Sequence, residues 1–545
     1  MGKRWKLFFA AVACFGFLFF IVLYFSVPIM EIVASLPEIE VIWEIEDTKT
    51  LSEEPILKEL YRDGKPLPKD QTGTFYCSLG LSMGDEWPEL YFSLPKGYSA
   101  CFADDYLWDA CCDAIAQGNR YRILIWTDEV YSYQDIVFTG LPVVCLTCNV
   151  EAEEILIEDV PVELLFSAPD KVLISHARIH RRGGSSFHAN IEKRGYRVEL
   201  TRNTDGSRKV RQDLPVFGEA DTFVLLPLAE DQMKLRERMA WELWNNMCGD
   251  VKPFGRRIVF YCEVLLNGDY RGVYLAMQPY DVETELSATD MAAGSAVYRT
   301  SVSQFLRGRP AVQHPKIPTG SYRVYFSPES NPESGIEPYI RLINEEDDEA
   351  FKILFSKLAD TESLLRYDLF VQACALADNI FNNMYICILH ENGGISIHVA
   401  PWDLDLSFGR RPEEIGQNYE YWIWYPLFDR ALLLDCEHLR ARLTEQWQEY
   451  RQNIFSEENI TKLAEGFAEE LNRSGAMVRD AERWELDQYI SEYQNILDYW
   501  FIRMTVLDEA IAQISEGDVN FLTFSQYHEK GGPIWISKDE MEESL

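Results

Sequence analysis

Residues 374–385 read CALADNIFNNMY, and residues 400–409 read APWDLDLSFG. In the first stretch an apolar run breaks into Asp378, Asn379, Asn382 and Asn383. In the second, Asp403 and Asp405 alternate with Trp402, Leu404 and Leu406. A carboxylate in so apolar a setting loses its hydration and persists only with a compensating partner. A divalent cation is one such partner. Magnesium in particular takes hard oxygen ligands, commonly one or two carboxylates plus phosphate oxygens. The intervening ICILHENGGISIHV is strand-like on both sides of a Gly-Gly pair and reads as a β-hairpin. Asp403 follows Asp378 by 25 residues, and a hairpin of that length returns the chain to its starting point. The plainer readings are an Asn-capped helix end for Asp378–Asn383 and a surface turn for Asp403 and Asp405.

A second constellation lies upstream. Between Ser175 and Gln212 there are ten Lys or Arg against three Asp or Glu, in a chain whose formal net charge is -37. RRGGSS sits inside this basic island, between two strand-like runs. Glycine lets the backbone approach a ligand, and the N–H groups of such a turn can cradle phosphate. The turn Gly183, Gly184 and Ser185 is therefore a candidate for holding a phosphate or another polyanion, with Arg and Lys of the island neutralising it. The competing reading is a solvated basic strand face.

The elements that must position these groups follow in order. Residues 71–140 alternate short apolar runs with turn residues, as a small β-sandwich does. From Leu141 come further strand-like runs, a helix over EDQMKLRERMAWELWNNM, and a strand pair turned at Asn267-Gly268, a strong hairpin signal. Residues 281–345 read as an irregular insertion, and 346–378 and 430–515 as helical. A strand-rich part followed by a helix-rich part makes an α+β, two-lobed enzyme with a cleft between lobes. Residues 29–70 read as an acidic juxtamembrane spacer, and 516–545 as a tail.

The 545 residues suffice for more than one core. The acidic balance excludes a general nucleic-acid binder. Leu7 to Val27 carries no charge, follows Lys3, Arg4 and Lys6, and precedes Pro28. It matches the ~20 residues a bilayer span needs. The basic flank places the N-terminus in the cytoplasm, so residues 1–28 are expected to be an uncleaved signal-anchor with the bulk of the chain extracytoplasmic. A cleaved signal peptide is the alternative.

Asp378 and Asn383 are spaced as the catalytic Asp and metal-holding Asn are in protein kinases, where a further Asp completes the metal site. RRGGSS with KRGYRVEL, VLLNGDYRGVYLAMQ, DNIFNN and APWDLDLSFG occur in the order seen in the spore coat protein H (CotH) kinase family, which the chain resembles over residues 141–515. PWDLDLSFG is the most specific of these motifs. The resemblance implies an atypical protein-kinase-like fold and phosphate transfer from ATP, with Mg²⁺ or Mn²⁺, to Ser in a protein substrate. It implies Asp378 as catalytic carboxylate and Asn383 and Asp403 as metal ligands, with Asp405 a second ligand or a structural carboxylate. Arg182 and Lys193 would face the phosphates, with Gly183, Gly184 and Ser185 in the turn between them. Arg236, in KLRERMAWEL, matches a family helix and joins the nucleotide-binding candidates. Gln278 stands where the family commonly has Glu, and DNIFNN departs from the commoner Asn-x-Asp, leaving Asp378 and Asn379 both open for the catalytic position. A non-catalytic surface module that keeps the fold is the second functional expectation, since ATP is scarce outside the cell.

Overall fold

The computed structural model describes residues 31–33, 39–104, 109–183, 192–229, 231–301, 322–328, 334–380, 382–391, 393–410, 422–485 and 493–522. The chain divides into two compact units. The first comprises Met1–Pro227, Tyr261–Ala276 and Glu469–Tyr489, and the second Leu228–Phe260, Met277–Ala468 and Ile490–Leu545. The expected anchor over residues 1–28 lies outside the described residues. Among the described residues, no helix is long and apolar enough to cross a membrane.

The first unit is built on a closed barrel. Its strands, in spatial order, are Val143–Thr147, Val160–Ser167, Val172–Arg182, Gly195–Thr201, Thr222–Leu226, Asp269–Met277 and Val259–Leu266. Closure is a parallel pairing that sets Val143 against Glu263 and Leu146 against Leu266. Alternation decides which side chains go inside. On Val172–Arg182, Ala177, Ile179 and Arg181 are buried, whereas Arg178, His180 and Arg182 are only partly so. The Asn-Gly turn forms as expected: Asn267 (φ 52°) and Gly268 (φ 78°) both take the left-handed conformation of a tight hairpin.

Ahead of the barrel, two sheets share one core. One joins Thr50–Leu51, Val130–Thr139, Arg120–Trp126, Ser99–Phe102 and Phe75–Ser78; the other joins Glu31–Val33, Tyr91–Ser93, Tyr61–Arg62 and Lys65–Pro66. Leu57, Leu60 and Leu67 lie in that core with Phe75, Phe92, Ile123 and Phe138. Part of the expected spacer is thus folded structure. Its Leu and Tyr residues are sparse among Glu and Lys, so their period did not show above the charge.

The second unit holds a four-stranded sheet in the order Tyr322–Phe326, Ala296–Ser301, Asn382–Glu391, Gly394–Pro401. Its last two strands are the expected hairpin, paired from Met384 with Pro401 to Glu391 with Gly394. Two of these strands arise from the stretch read as an irregular insertion, where residues 302–321 lie outside the described ones. The helix Thr361–Cys374 is buried along almost its whole length, Glu362 and Arg366 excepted. Asp360 caps it by accepting from Ser363 N, and Ala375, left-handed at φ 56°, ends it.

Candidate active site

The buried helix Thr361–Cys374 runs straight into a 3₁₀ turn, Ala377–Asn379. Asp378 sits in that turn. Its carboxylate accepts from Asn382 Nδ2 at 3.1 Å and from Asn383 Nδ2 at 2.7 Å. Asn379 has a different fate. It is fully buried, and its amide donates to the carbonyls of Asn383 (3.1 Å) and Trp402 (2.8 Å). Those bonds tie the turn to both ends of the hairpin, and Trp402 N adds a bond to Asn383 O at 2.8 Å. Asp403, two residues past the hairpin's end, is thereby brought back toward Asp378.

Three non-glycine residues here are left-handed: Asn383 (φ 52°), Asp403 (φ 59°) and Phe408 (φ 51°). Such conformations cost of order 1–3 kcal/mol each and persist where the surroundings over-determine them. One determinant is aromatic packing. Trp402 lies 6.2 Å from Trp241, 6.1 Å from Tyr280 and 5.7 Å from Tyr385, between ring centroids. Another is Phe408 N, which donates to Cys374 O at 2.9 Å. Gly409 follows at φ 64°, where a Cβ would stand 2.1 Å from the Tyr499 ring. Around these residues Ile380, Met384, Trp402, Leu404 and Phe408 are buried; Phe381 lies outside the described residues.

The carboxylates feel one another. Burial raises the Asp378 pKa, and the Asp403 charge raises it further, against the Asn382 and Asn383 amides and Arg299. Burial, then the charges of Asp403 and Asp378, push Asp405 up to about 7 against the pull of Arg410. The Asp405 side chain keeps 44% of its surface exposed, so water screens part of that effect. Arg410 pairs with Asp405 at 3.0 Å, and Arg299 donates to Asn383 Oδ1. The donor set suits a hard cation: the Asp403 charge raises the proton affinity of both Asp378 and Asp405, and a divalent ion relieves that repulsion. The three do not close into a trio with all ligand oxygens within 4.8 Å of one another. An ion bound here would therefore complete its shell with water or phosphate oxygens. Asn383 Oδ1 has two lone pairs, one engaged by Arg299.

The basic island looks different folded. Glu199 accepts from Arg178 and Arg197, Asp159 pairs with Arg178 and His180, and Asp221 pairs with Lys209 at 3.0 Å. Much of the positive excess counted along the segment is thus met by carboxylates, two of them from beyond it. Lys193 is 4% exposed, and its Nζ lies 2.6 Å from Asp480 Oδ1 and 5.2 Å from the centre of the Tyr274 ring. Arg182 ends its strand and Gly183 (φ 105°) follows it. Gly184 and Ser185 lie outside the described residues. Arg236 belongs to the second unit. It opens the helix Arg236–Cys248, and Asp231 accepts from both its Nη1 (2.8 Å) and its backbone N (3.0 Å). That places Arg236 as a capping ion pair, in a different unit from Arg182 and Lys193.

Sequence reasoning missed Asn379 as the latch, Arg299 beside Asn383, and Asp480 opposite Lys193. Arg299 and Asp480 act across separations that no local motif spans, 84 and 287 residues.

The chain is a mixed α+β protein with an Asp–Asn turn at one end of a hairpin and an Asp at the other. The sequence profile of the CotH kinase proteins matches residues 179–507, and the chain belongs to that family. Among curated proteins, none matches it.

Proposed function

We propose that the protein is a metal-dependent phosphotransferase that moves the γ-phosphate of ATP to Ser or Thr of a protein substrate. The observation that carries this reading is the Asp378 carboxylate, held by two amides and placed where burial and the Asp403 charge raise its proton affinity. In this reading of an atypical protein-kinase-like domain, Asp378 works with the metal ligands Asn383, Asp403 and Asp405, and Arg182, Lys193 and the stretch Gly183–Ser185 are assigned to the phosphates. Asn382 and Asn383 orient Asp378, which takes the proton of the attacking hydroxyl as its oxygen bonds to phosphorus and the bond to the ADP oxygen breaks. A raised pKa makes Asp378 a better proton acceptor than an ordinary carboxylate. Mg²⁺ or Mn²⁺, when bound, would neutralise the phosphate charge. The substrate is a Ser-rich surface or coat protein, reached from an anchor at residues 1–28 with the bulk of the chain extracytoplasmic.

The test is incubation of the purified protein with γ-labelled ATP, Mg²⁺ and a Ser-rich protein. Label should appear on Ser or Thr and vanish in Asp403→Ala. A protein that binds ATP yet labels nothing would favour the non-catalytic surface module. Arg299 engaging Asn383 Oδ1 and Gln278 in a usual Glu position are the features on that side.

A further inference from the structure

The helix Ala476–Trp484 comes late in the chain yet folds with the first unit. Its Asp480 is fully buried. Asp480 Oδ1 accepts from Lys193 Nζ at 2.6 Å and from Val273 N at 2.8 Å. So close an approach needs glycine opposite: a Cβ on Gly272 would stand 2.0 Å from that oxygen. The helix is seated from its other side. Ser474 O accepts from Gly140 N at 3.2 Å and from Thr139 Oγ1 at 3.3 Å. At Gly475 a Cβ would stand 1.9 Å from Ile115 O.

We propose that Asp480 is the positioning residue of Lys193, and that the N-terminal two-sheet module sets the helix that carries it. This rests on the reading of Lys193 as a phosphate-facing residue. A buried ammonium is costly unless paired, and a carboxylate on another element both keeps it charged and aims it. Protein kinases need a lysine–carboxylate pair in place for the same reason, and the setting of its helix controls activity. Here the carboxylate comes from 287 residues further along the chain, and the helix end that governs it rests on the N-terminal module.

The experiment is calorimetry with ATP and Mg²⁺ on the full-length protein, as it is and as Lys193→Ala, Asp480→Asn and the double variant, from pH 6 to pH 9. Titratable groups facing Lys193 include Asp480, Tyr274 and Cys262. Without the carboxylate, a buried amine loses its proton more readily. Asp480→Asn should therefore bind about tenfold more weakly at pH 8 and recover toward pH 6. Lys193→Ala should be weak at every pH, and the double variant no weaker than Lys193→Ala, because both changes act through one amine. Asp480→Asn binding as tightly as the unsubstituted protein, failing to recover in acid, or adding its loss to that of Lys193→Ala would overturn the proposal. So would a Lys193→Ala protein of full affinity. An unsubstituted protein that binds no nucleotide sinks the phosphate reading itself, and the proposal with it. Should Asp480→Asn fail to fold, the double variant decides. Refolding there, with the affinity of Lys193→Ala, supports the assignment; unfolding there shows that Asp480 holds the fold in its own right and overturns it.

Discussion

Asp378 and Asn379 are neighbours with opposite work. Asn379 spends its amide on two backbone carbonyls, while Asp378 keeps a carboxylate that only side-chain amides touch among its described hydrogen bonds. Asp378→Asn should leave ATP and Mg²⁺ binding near its original strength and lower transfer by ~10²-fold or more, because only the proton acceptor is lost. Asp403→Ala should lose metal-dependent binding and transfer together. Equal effects of the two changes on binding would refute this division of roles. A buried acid away from the site gives a separate prediction. Asp368 is fully buried, accepts a bond from Gln372 at 3.3 Å, and is pushed up to about 8 by burial, against the pull of Arg503. Its folded pKa is above the unfolded ~3.9, so the folded state holds the proton longer. Stability from this group is full below about pH 4 and is lost as pH rises toward 8. Melting temperature should fall over that window, and Asp368→Asn should flatten the fall. An unchanged slope in the variant would assign the pH dependence elsewhere, with Asp429, which burial and Asp368 also raise, the next to test.

The helix Ala476–Trp484 shows what one element can hold. Arg479 meets Glu263 through two bonds of 2.8 Å, and Tyr270 and Thr139 donate to the same carboxylate. Both charges are essentially without solvent contact. Removing one leaves the other buried and unpaired, which typically costs 3–5 kcal/mol. Arg479→Met should therefore lower the urea midpoint strongly. Arg479→Met with Glu263→Gln should recover part of the loss, since no bare charge remains. If the double variant is as unstable as the single, the helix is held by its packing and not by the ion pair.

At the scale of the whole chain, the net charge of -37 makes cation binding the natural partner of the carboxylate set. Mg²⁺ should raise the melting temperature, because an ion that binds only the folded state stabilises it by ~2.7 kcal/mol at a hundred times its dissociation constant. Asp403→Ala should abolish that increment. A protein whose melting ignores Mg²⁺ and Mn²⁺ would have no such site. Topology is tested on intact cells. With Leu7–Val27 as an uncleaved anchor, external protease should remove the large domain and leave a short membrane-bound fragment; protection until lysis would reverse the orientation.

The placement of these carboxylates along the chain was legible in the sequence, for a physical reason. Asp378, Asn383 and Asp403 lie on a turn–hairpin–turn, and a hairpin's register is set by alternation and turn chemistry, which are local. The Asn-Gly hairpin was readable for the same cause, and the motif order carried the family. The choice between Asp378 and Asn379 was not readable, because it depends on which side chain the fold buries. The basic island was read too simply. Charge counted along a segment ignores the carboxylates that tertiary pairing delivers from Asp159, Asp221 and Asp480. Residues 281–345 hid two strands, because a strand's pairing partner need not be near it in sequence. Asp480 was out of reach altogether: nothing in VRDAERW announces a partner 287 residues upstream, and only the closed barrel with its late helix decides it.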